Sequence, residues 1–488
     1  MGSRIFQELK GLESRRTVAR STSGRRTSMD TDMQDGPCRK RVAGMWVGLS
    51  TMATSLIAGG VADAAAEESP YIRDRNDVPL VERGDADQPL RFPLRAVAAQ
   101  LLASLAETAP DRSGLPLQLA LDARIQSIAE RELRAVPRGA VVVVDPSNGD
   151  ILAMASLPSF DPNALSEIRG RLAADQTGPL TNRAINSYAP GAAFTVVTGL
   201  AGAGKGMADA RFECHGGVTY GTKMMKCWIA SKEGKHGSLA LDEALHLSCG
   251  PFFYQYGNAA GIEAIQAIGR SLGLGTRSGI PLREEGPGIL PGPDWLAQVL
   301  PTERWSMGYT ANVSIGQGSV EATPLQMAMV AAAIGNGGQS FHPRLLLNDP
   351  VRLRADLRNE GKLTAELERV RLGMWKTVNE PGGSGKRARV AGATVAGRTG
   401  TAQFWREEAG TKVRDHHTWF IGFAPFEEPK LAICVFVQGA KSGGGVSAPI
   451  AGRILQGALL GGGESAVQAM EPAVGSFDQT GNVPEVER

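Results

Sequence analysis

Two cysteines and two histidines lie close together near the middle of the chain: Cys214, Cys227, His236 and His246. Thiolate and imidazole are the ligands that tetrahedral zinc prefers. Their segments read as loops, and their spacing is not that of a standard zinc finger. Cys214 and Cys227 could instead form a disulfide, as exported proteins often do, or remain free thiols among solvated histidines. The residues alone leave these three interpretations open.

A second stretch, Tyr188 to Thr195, reads Y-A-P-G-A-A-F-T. It resembles the nucleophile segment of the penicillin-binding transpeptidases, Y-P-P-G-S-x-x-K. In that pattern the serine attacks a peptide or β-lactam carbonyl, and the lysine three residues later takes its proton. Residues three apart share a helix face, and the unpaired N–H groups that begin a helix stabilise developing negative charge. Here Ala192 and Thr195 occupy the two reacting positions, so both reacting groups are missing.

The family's second motif, S-x-N, is also altered. Its serine relays protons and its asparagine orients the lysine and the substrate, whereas this chain reads Ser248-Cys249-Gly250. The serine remains, but Gly250 offers no side chain. The resemblance implies that the Cys249 side chain, at the middle position, points away from the cleft.

The third motif, K-T-G, reads Arg398-Thr399-Gly400 and is followed by Thr401. Arginine keeps the positive charge and adds a planar fork that suits a carboxylate. The resemblance therefore implies that residues 398–401 bind a substrate carboxylate. The family's oxyanion hole uses backbone N–H groups, here those of Ala192 and Thr401, and backbone donors survive side-chain replacement.

The resemblance extends from about Leu117 to Leu460, with segments such as Ser314-Ile315-Gly316-Gln317-Gly318 in family order. It is to the class B, elongation-type members. It implies an α/β serine transpeptidase/β-lactamase-like fold: a five-stranded, mostly antiparallel sheet, flanking helices and an all-helical lobe that carries Ala192. Related elongation-type proteins are thought to hold zinc where the Cys/His group lies. A structural zinc is thus the one metal expected, and no cofactor is required.

Several elements can be predicted directly. The apolar run Val141–Val144 predicts a buried strand, Asn148-Gly149 a tight turn, and Ile151–Ser156 the returning strand. Thr323 before Pro324 predicts the start of a helix that ends at Gly335. Thr418–Ala424 and Leu431–Gln438 predict two more strands.

Composition and charge divide the chain. Residues 1–41 carry ten basic and five acidic residues, a net charge of +5, whereas the whole chain carries +2 because the remainder carries about −3. We expect residues 1–41 to be disordered and cytoplasmic. The uncharged run that follows Arg39-Lys40-Arg41 makes 42–66 a membrane anchor or a signal segment cleaved after Ala66. The region 67–115 is then a linker or reduced pedestal, 116–460 the transpeptidase-like domain, and 461–488 a flexible tail. The nearly neutral body argues against nucleic acid as a partner.

These observations predict a catalytically inactive penicillin-binding protein outside the inner membrane. It would bind the peptidoglycan stem peptide non-covalently and act as a scaffold among other cell-wall synthesis proteins. The alternative is an active transpeptidase in which Thr195 or Ser248 is the nucleophile. The two differ in whether any hydroxyl or thiol of the cleft has a base within hydrogen-bonding reach.

Overall fold

Fifteen strands and twelve α-helices make up the described part of the chain, which comprises residues 71–84, 90–108, 117–358, 364–408 and 411–461 of a computed structural model. The strands are β1 (Ile72–Arg73), β2 (Pro79–Arg83), β3 (Leu90–Arg91), β4 (Leu117–Gln118), β5 (Gly139–Val144), β6 (Ile151–Leu157), β7 (Phe212–Cys214), β8 (Gly217–Tyr220), β9 (Lys223–Lys226), β10 (Gly237–Leu239), β11 (Gln339–Phe341), β12 (Leu353–Asp356), β13 (Ala396–Glu408), β14 (Thr411–Ala424) and β15 (Leu431–Gln438). The helices are α1 (Ala99–Thr108), α2 (Ala123–Leu133), α3 (Leu165–Ala174), α4 (Thr195–Ala201), α5 (Leu241–Leu247), α6 (Gly250–Ala260), α7 (Ile262–Ser271), α8 (Pro293–Val299), α9 (Met307–Ser314), α10 (Pro324–Gly335), α11 (Thr364–Asn379) and α12 (Ser447–Leu460).

The central sheet has five strands in the order β13-β14-β15-β5-β6, and every neighbouring pair is antiparallel. It confirms the predicted fold class. The valine run of β5 is buried on both faces of this sheet. Val141 and Val143 belong to one apolar core, which α2 and α12 complete, and Val142 and Val144 belong to the other, which α10 completes. An apolar run without alternation is what a strand covered on both faces requires.

The turn and helix signals are confirmed. Gly149 adopts a positive φ of 83° between β5 and β6. The Thr323 side chain accepts a hydrogen bond from the N–H of Gln326, whose own side chain bonds back to the Thr323 N–H. This capping box fixes the start of α10, and all twelve residues of the helix are buried.

The second lobe consists mainly of helices α4 to α9 and α11, as expected, but it also carries two short ribbons. Strands β7 and β10 pair antiparallel, and β8 and β9 form a separate antiparallel pair. Both ribbons lie in the stretch between α4 and α5, where the sequence predicted only loops. They bring the cysteine and histidine segments together.

The region before the main domain contains a small sheet, β3-β2-β1-β4, and the helix α1. The helix spans Ala99–Thr108. Whether this region is a reduced pedestal stays a prediction. The segments predicted for 1–41, 42–66 and 462–488 lie outside the described residues, and no helix within those described is long and apolar enough to cross a membrane.

Candidate active site and the adjoining thiol cluster

Ala192 lies in a 3₁₀ turn, Gly191–Phe194, which leads into α4 at Thr195. Gly191 has a φ of 56°, and a Cβ there would meet the Thr401 carbonyl oxygen at 2.5 Å. Only glycine tolerates both the conformation and the close approach. The Gly191 N–H donates to the Gly316 carbonyl at 2.9 Å. The backbone of the nucleophile segment is therefore held against its neighbours independently of the side chain at 192.

The other motif segments contact the same turn. A Cβ at Gly400, in β13, would lie 2.6 Å from the Pro190 carbonyl oxygen, and one at Gly316 would lie 2.3 Å from the Gly191 carbonyl oxygen. Backbone thus packs directly on backbone at these glycines. The first motif segment, the third motif segment and the segment 314–318 therefore lie against one another.

Arg398 is the group that joins the three motifs. Its Nε donates to Thr195 Oγ1 at 3.0 Å, and its Nη2 donates to Ser248 Oγ at 2.9 Å. The side chain is completely buried, and Nη1 has no hydrogen-bond partner among the described residues. Burial lowers the pKa of the guanidinium to about 10, so Arg398 stays protonated near neutral pH.

This arrangement corrects the prediction that Arg398 forks onto a substrate carboxylate. The side chain turns inward from β13 and lies against Thr195, whose short side chain leaves space that a longer one would fill. A guanidinium with no exposed surface cannot make a bidentate contact with an incoming ligand. Its charge reaches the cleft only through the electrostatic field, which is strong because the site is buried.

Neither remaining hydroxyl is hydrogen-bonded to a base among the described residues. Thr195 Oγ1 donates to the Ala192 carbonyl at 2.7 Å, so its proton is already committed, and its lone pair accepts from Arg398. Ser248 Oγ accepts from the same guanidinium. A cation stabilises an alkoxide but cannot take the proton away, so neither residue has the pairing of nucleophile and base that acyl transfer needs.

Gly250 begins α6, and the side chain of Tyr254 lies where a side chain at position 250 would begin. A Cβ at Gly250 would lie 2.9 Å from the hydroxyl oxygen of Tyr254, one turn later. Tyr254 is buried, and this burial is the main reason that its pKa is raised to about 12. The phenol therefore occupies part of the space into which the family's asparagine would project.

Thr399 and Thr401, both in β13, form hydrogen bonds with different partners. Thr399 Oγ1 lies 2.6 Å from Ser384 Oγ, and Thr401 Oγ1 accepts from the Gly443 N–H at 3.4 Å. The Gln317 side chain donates to the Thr401 carbonyl at 3.3 Å. Sequence reasoning missed Ser384. It lies in a glycine-rich loop, 381–385, that carries no signal of contact with the third motif.

Four metal-ligand side chains converge beside the cleft. The sulfur atoms of Cys214, Cys227 and Cys249 and one ring nitrogen of His236 all lie within 4.8 Å of one another. His236 Nδ1 is 3.5 Å from Cys227 Sγ and 3.7 Å from Cys214 Sγ. The β7–β10 pairing sets Cys214 opposite Gly237, next to His236. We call these four residues the thiol cluster.

One predicted ligand, His246, is wrong. It is the penultimate residue of α5, and its Nε2 lies 3.1 Å from the Pro381 carbonyl oxygen instead of in the cluster. Cys249 takes the fourth position. The reason is local: Ser248 adopts a left-handed conformation with a φ of 54°, which reverses the chain between α5 and α6 and turns the Cys249 side chain away from the cleft.

The donor set fits zinc. Ligands about 2.0 to 2.3 Å from a tetrahedral ion lie about 3.3 to 3.8 Å from one another, so a small contraction of the cluster suffices. The pKa of Cys227 is lowered to about 5, mainly by a hydrogen bond with the Cys249 thiol. The pKa of Cys249 is raised by the same hydrogen bond and by burial. A thiolate is the ligand form that zinc binds. Every described cysteine is a free thiol, so the Cys214–Cys227 disulfide, which the sequence left open as an alternative to zinc, is not formed in this structure.

Comparison with known proteins supports the resemblance. Residues 139–456 match the family model described as the penicillin-binding protein transpeptidase domain. Peptidoglycan D,D-transpeptidase MrdA of Acinetobacter baumannii is 31% identical, over 71% of this chain and 54% of its own length. MrdA of Salmonella typhimurium is 32% identical, over 72% and 60%. The chain thus spans little more than half the length of these relatives.

Solved structures agree with the fold. Pseudomonas aeruginosa PBP2 in complex with WCK 5153 superposes with a TM-score of 0.68 at 26% identity, over 80% of this chain and 94% of that one. Helicobacter pylori PBP2, solved in complex with MreC, gives 0.63 at 28% identity, over 71% and 64%. The sheet, the three motif segments and these matches lead to one conclusion: the chain belongs to the transpeptidase family of penicillin-binding proteins, among its class B, elongation-type members.

Proposed function

We propose that this protein is a non-acylating penicillin-binding protein that binds peptidoglycan peptides and serves as a scaffold in cell-wall assembly. One observation carries the proposal. The position of the nucleophile holds the methyl group of Ala192, and the position of the base amine holds Thr195, which is hydrogen-bonded to a buried, protonated Arg398. Loss of a hydroxyl nucleophile and its base costs a factor on the order of 10⁶ in rate.

The alternative is acyl transfer from Thr195 or Ser248. The hydrogen bonds described above argue against it, because both oxygens accept from Arg398 and neither faces a proton acceptor other than a backbone carbonyl. Cys249 would be a better nucleophile than either hydroxyl, but its side chain lies in the thiol cluster and is buried.

What supports binding is the intact backbone of the cleft. The N–H groups of Ala192 and Thr401 do not depend on the replaced side chains, and such donors accommodate a carbonyl oxygen. Thr399 with Ser384, together with the field of Arg398, offers hydroxyl groups and positive potential to a carboxylate. We therefore assign a peptide that ends in a carboxylate as the ligand.

Zinc is the second part of the proposal. Cys214, Cys227, His236 and Cys249 would hold the ion, and four protein ligands with no open position are typical of structural sites. When bound, it supplies cross-links between the β7–β10 ribbon, the loop at Cys227 and the start of α6. Its role is to hold the lobe that carries the cleft, not to react.

Partners and location follow from the relatives and the sequence. The Helicobacter pylori PBP2 structure contains MreC, so a cell-wall synthesis protein of this kind is the partner class that we assign to this chain. The uncharged run in 42–66 would tether the body at the outer face of the inner membrane.

The decisive experiment is labelling with a fluorescent penicillin followed by intact-mass measurement, with an active penicillin-binding protein as the positive control. We expect no covalent adduct at any residue. A stoichiometric mass increase that maps to the cleft would overturn the non-acylating function.

Binding is tested separately, by calorimetry with a stem-peptide mimic that ends in D-alanine. We expect weak heats for the parent protein and weaker ones for Thr399→Val, because the hydroxyl that pairs with Ser384 is lost. Equal heats for both, or none for either, would contradict peptide binding at this site.

A further inference from the structure

The thiol cluster contains three sulfur atoms, so the same side chains that would bind zinc could also form a disulfide. Cys227 is the central thiol, since it is hydrogen-bonded to both Cys249 and Cys214. Three thiols packed within 4.8 Å of one another and of a histidine nitrogen can either bind an ion or be oxidised, because both processes use the same sulfur lone pairs.

We propose that Cys227 and Cys249 form a reversible oxidation site, at which a hydroperoxide converts the two thiols to a disulfide, abolishes zinc binding and shifts the second motif of the cleft. This inference rests on the zinc binding proposed above and adds a regulation to it.

The pair Cys227–Cys249 is favoured over Cys214–Cys227 by how the backbone is held. Cys214 lies in β7, where it is fixed opposite Gly237 by the strand pairing. Cys249 lies in the two-residue junction between α5 and α6, which has no strand pairing. The junction can therefore move to form a sulfur–sulfur bond of about 2 Å.

Access to the cluster selects the oxidant. Cys214 and Cys249 have no exposed surface, and Cys227 is 4% exposed. His236 is only partly buried, and the half-exposed Trp228 lies beside it, with 5.6 Å between the ring centroids. A folded oxidoreductase cannot bring its own thiol to sulfur atoms buried this deeply, so the oxidant in our proposal is a small hydroperoxide.

The chemistry balances without another reactant. The Cys227 thiolate attacks one peroxide oxygen, the O–O bond breaks, and the leaving oxygen takes a proton to become water or an alcohol. The Cys249 sulfur then attacks the resulting sulfenic acid, and the hydroxide leaves as water with the Cys249 proton. The two sulfurs lose two electrons, which reduce the peroxide. Cys214 and His236 remain, and two ligands are too few for a structural zinc.

Oxidation is transmitted to the cleft through one peptide unit. Cys249 follows Ser248, whose left-handed φ of 54° sets the course of the chain and whose Oγ accepts from Arg398 Nη2 at 2.9 Å. A movement of Cys249 towards Cys227 displaces this hydroxyl. The link between the second and third motifs then changes with the oxidation state.

The test uses the full chain, purified without oxygen and assayed for zinc, then treated with hydrogen peroxide. Released zinc is followed with a coloured chelator, and disulfides are mapped without reduction. We expect about one zinc released per chain, in step with a Cys227–Cys249 disulfide, and recovery on addition of dithiothreitol and zinc. The fluorescence of Trp228 should change in parallel, and the change should be absent in Trp228→Phe.

Matched variants separate the thiols. Cys249→Ser should form at least tenfold less intramolecular disulfide at Cys227 with peroxide, as non-reducing peptide maps would show, and Cys214→Ser should still form the Cys227–Cys249 disulfide even though it has lost a zinc ligand. Cys434→Ser is the control, since Cys434 lies in β15 away from the cluster, and it should behave like the parent protein.

The outcomes that oppose the inference are distinct. Reduced protein that contains no zinc overturns the metal proposal and this inference with it. Zinc that stays bound while peroxide is consumed, or a disulfide that maps to Cys214–Cys227, overturns the oxidation site alone and leaves the proposed function untouched.

Discussion

Two buried polar groups lie side by side in this molecule, and the peptide bond between Ser248 and Cys249 joins them. On one side Thr195, Ser248 and Arg398 form a hydrogen-bonded set in the cleft. On the other side the thiol cluster brings four donors to a single point. Among the residues that the structure describes, the first set has a cation with neither a base nor a counter-charge, whereas the second has ligands that complement one metal ion.

The difference shows that burial and polarity do not by themselves make a reactive site. In the cleft, Arg398 donates through Nε and Nη2 to two neutral hydroxyls, and its Nη1 has no partner among the described residues. In the cluster, three sulfur atoms and one ring nitrogen converge within 4.8 Å of one another, an arrangement that would give a single metal ion four ligands. The four predictions that follow test this contrast, beginning with the largest effect.

Removal of a cluster ligand should have the largest effect on stability. We expect Cys227→Ser and His236→Ala to reduce zinc from about one per chain to almost none, and the free energy of unfolding by on the order of 4 kcal/mol. Metal analysis and urea unfolding provide the measurements. His246→Ala is the matched control, because this histidine faces Pro381. If it lost zinc as fully as His236→Ala, the assignment of the fourth ligand would be wrong.

Restoration of chemistry should require space as well as reacting groups. In Ala192→Ser/Thr195→Lys the new lysine meets the Arg398 guanidinium, so we expect no acylation by penicillin. Addition of Arg398→Lys shortens that side chain, and acylation should rise by about a thousandfold, as is typical for a positioned base. Rates are read from the growth of the adduct in intact-mass spectra. Equal rates with and without Arg398→Lys would contradict this account of the cleft.

Arg398 should contribute little to stability, in contrast to a partnered arginine. Arg398→Met removes a buried charge without a counter-charge, so we expect the free energy of unfolding to change by less than about 1 kcal/mol. Arg344→Met removes the nearer of two arginine partners of the fully buried Asp150, which Arg344 Nη2 contacts at 3.0 Å and Arg75 Nη2 at 3.6 Å, and should cost about 3 kcal/mol. Urea unfolding measures both. A similar loss in both variants would show that Arg398 has a counter-ion.

The wall of the cleft around His417 should give a smaller effect than removal of a cluster ligand, and this effect depends on pH. His417 stacks on Phe404 with 3.9 Å between the ring centroids, and burial lowers its pKa to about 4. The folded state therefore keeps a neutral ring where the unfolded chain takes up a proton. Its contribution is present above pH 6.5 and is lost as pH falls, by about 2 kcal/mol between pH 6.5 and pH 5.

His417→Phe should remove this part of the pH dependence and His416→Phe should not, as urea unfolding at several pH values would show. If the free energy of unfolding of His417→Phe kept the same dependence on pH, the His417 ring would be protonated in the folded state. Water would then reach this part of the cleft more freely than its burial implies.

Much of the fold could be predicted because it depends on local signals. The Val141–Val144 run, the Asn148-Gly149 turn and the Thr323 cap each act through neighbouring residues, and each is confirmed. The site could be predicted only in part. The motif spacing located Ala192 and Ser248, but the direction of a side chain depends on tertiary packing.

Two errors illustrate this limit. Cys249 rather than His246 completes the cluster because Ser248 is left-handed, which no spacing rule shows. Arg398 points inward because Thr195 is short, and that dependence links residues about two hundred positions apart. The two ribbons between α4 and α5 were also missed, since their strands are only three or four residues long.

The glycine contacts at 191, 316 and 400 have a kinetic consequence. They fix the outline of the cleft through backbone alone, so the outline persists when the reacting groups are absent. A site that is acylated by its ligand stays covalently occupied until the acyl bond is hydrolysed. A site with the same outline and no such bond releases its occupant unchanged, and its occupancy follows the concentration of ligand at each moment. Under the proposed function, the occupied fraction of this protein depends on the current concentration of peptide ligand and not on earlier exposure to it.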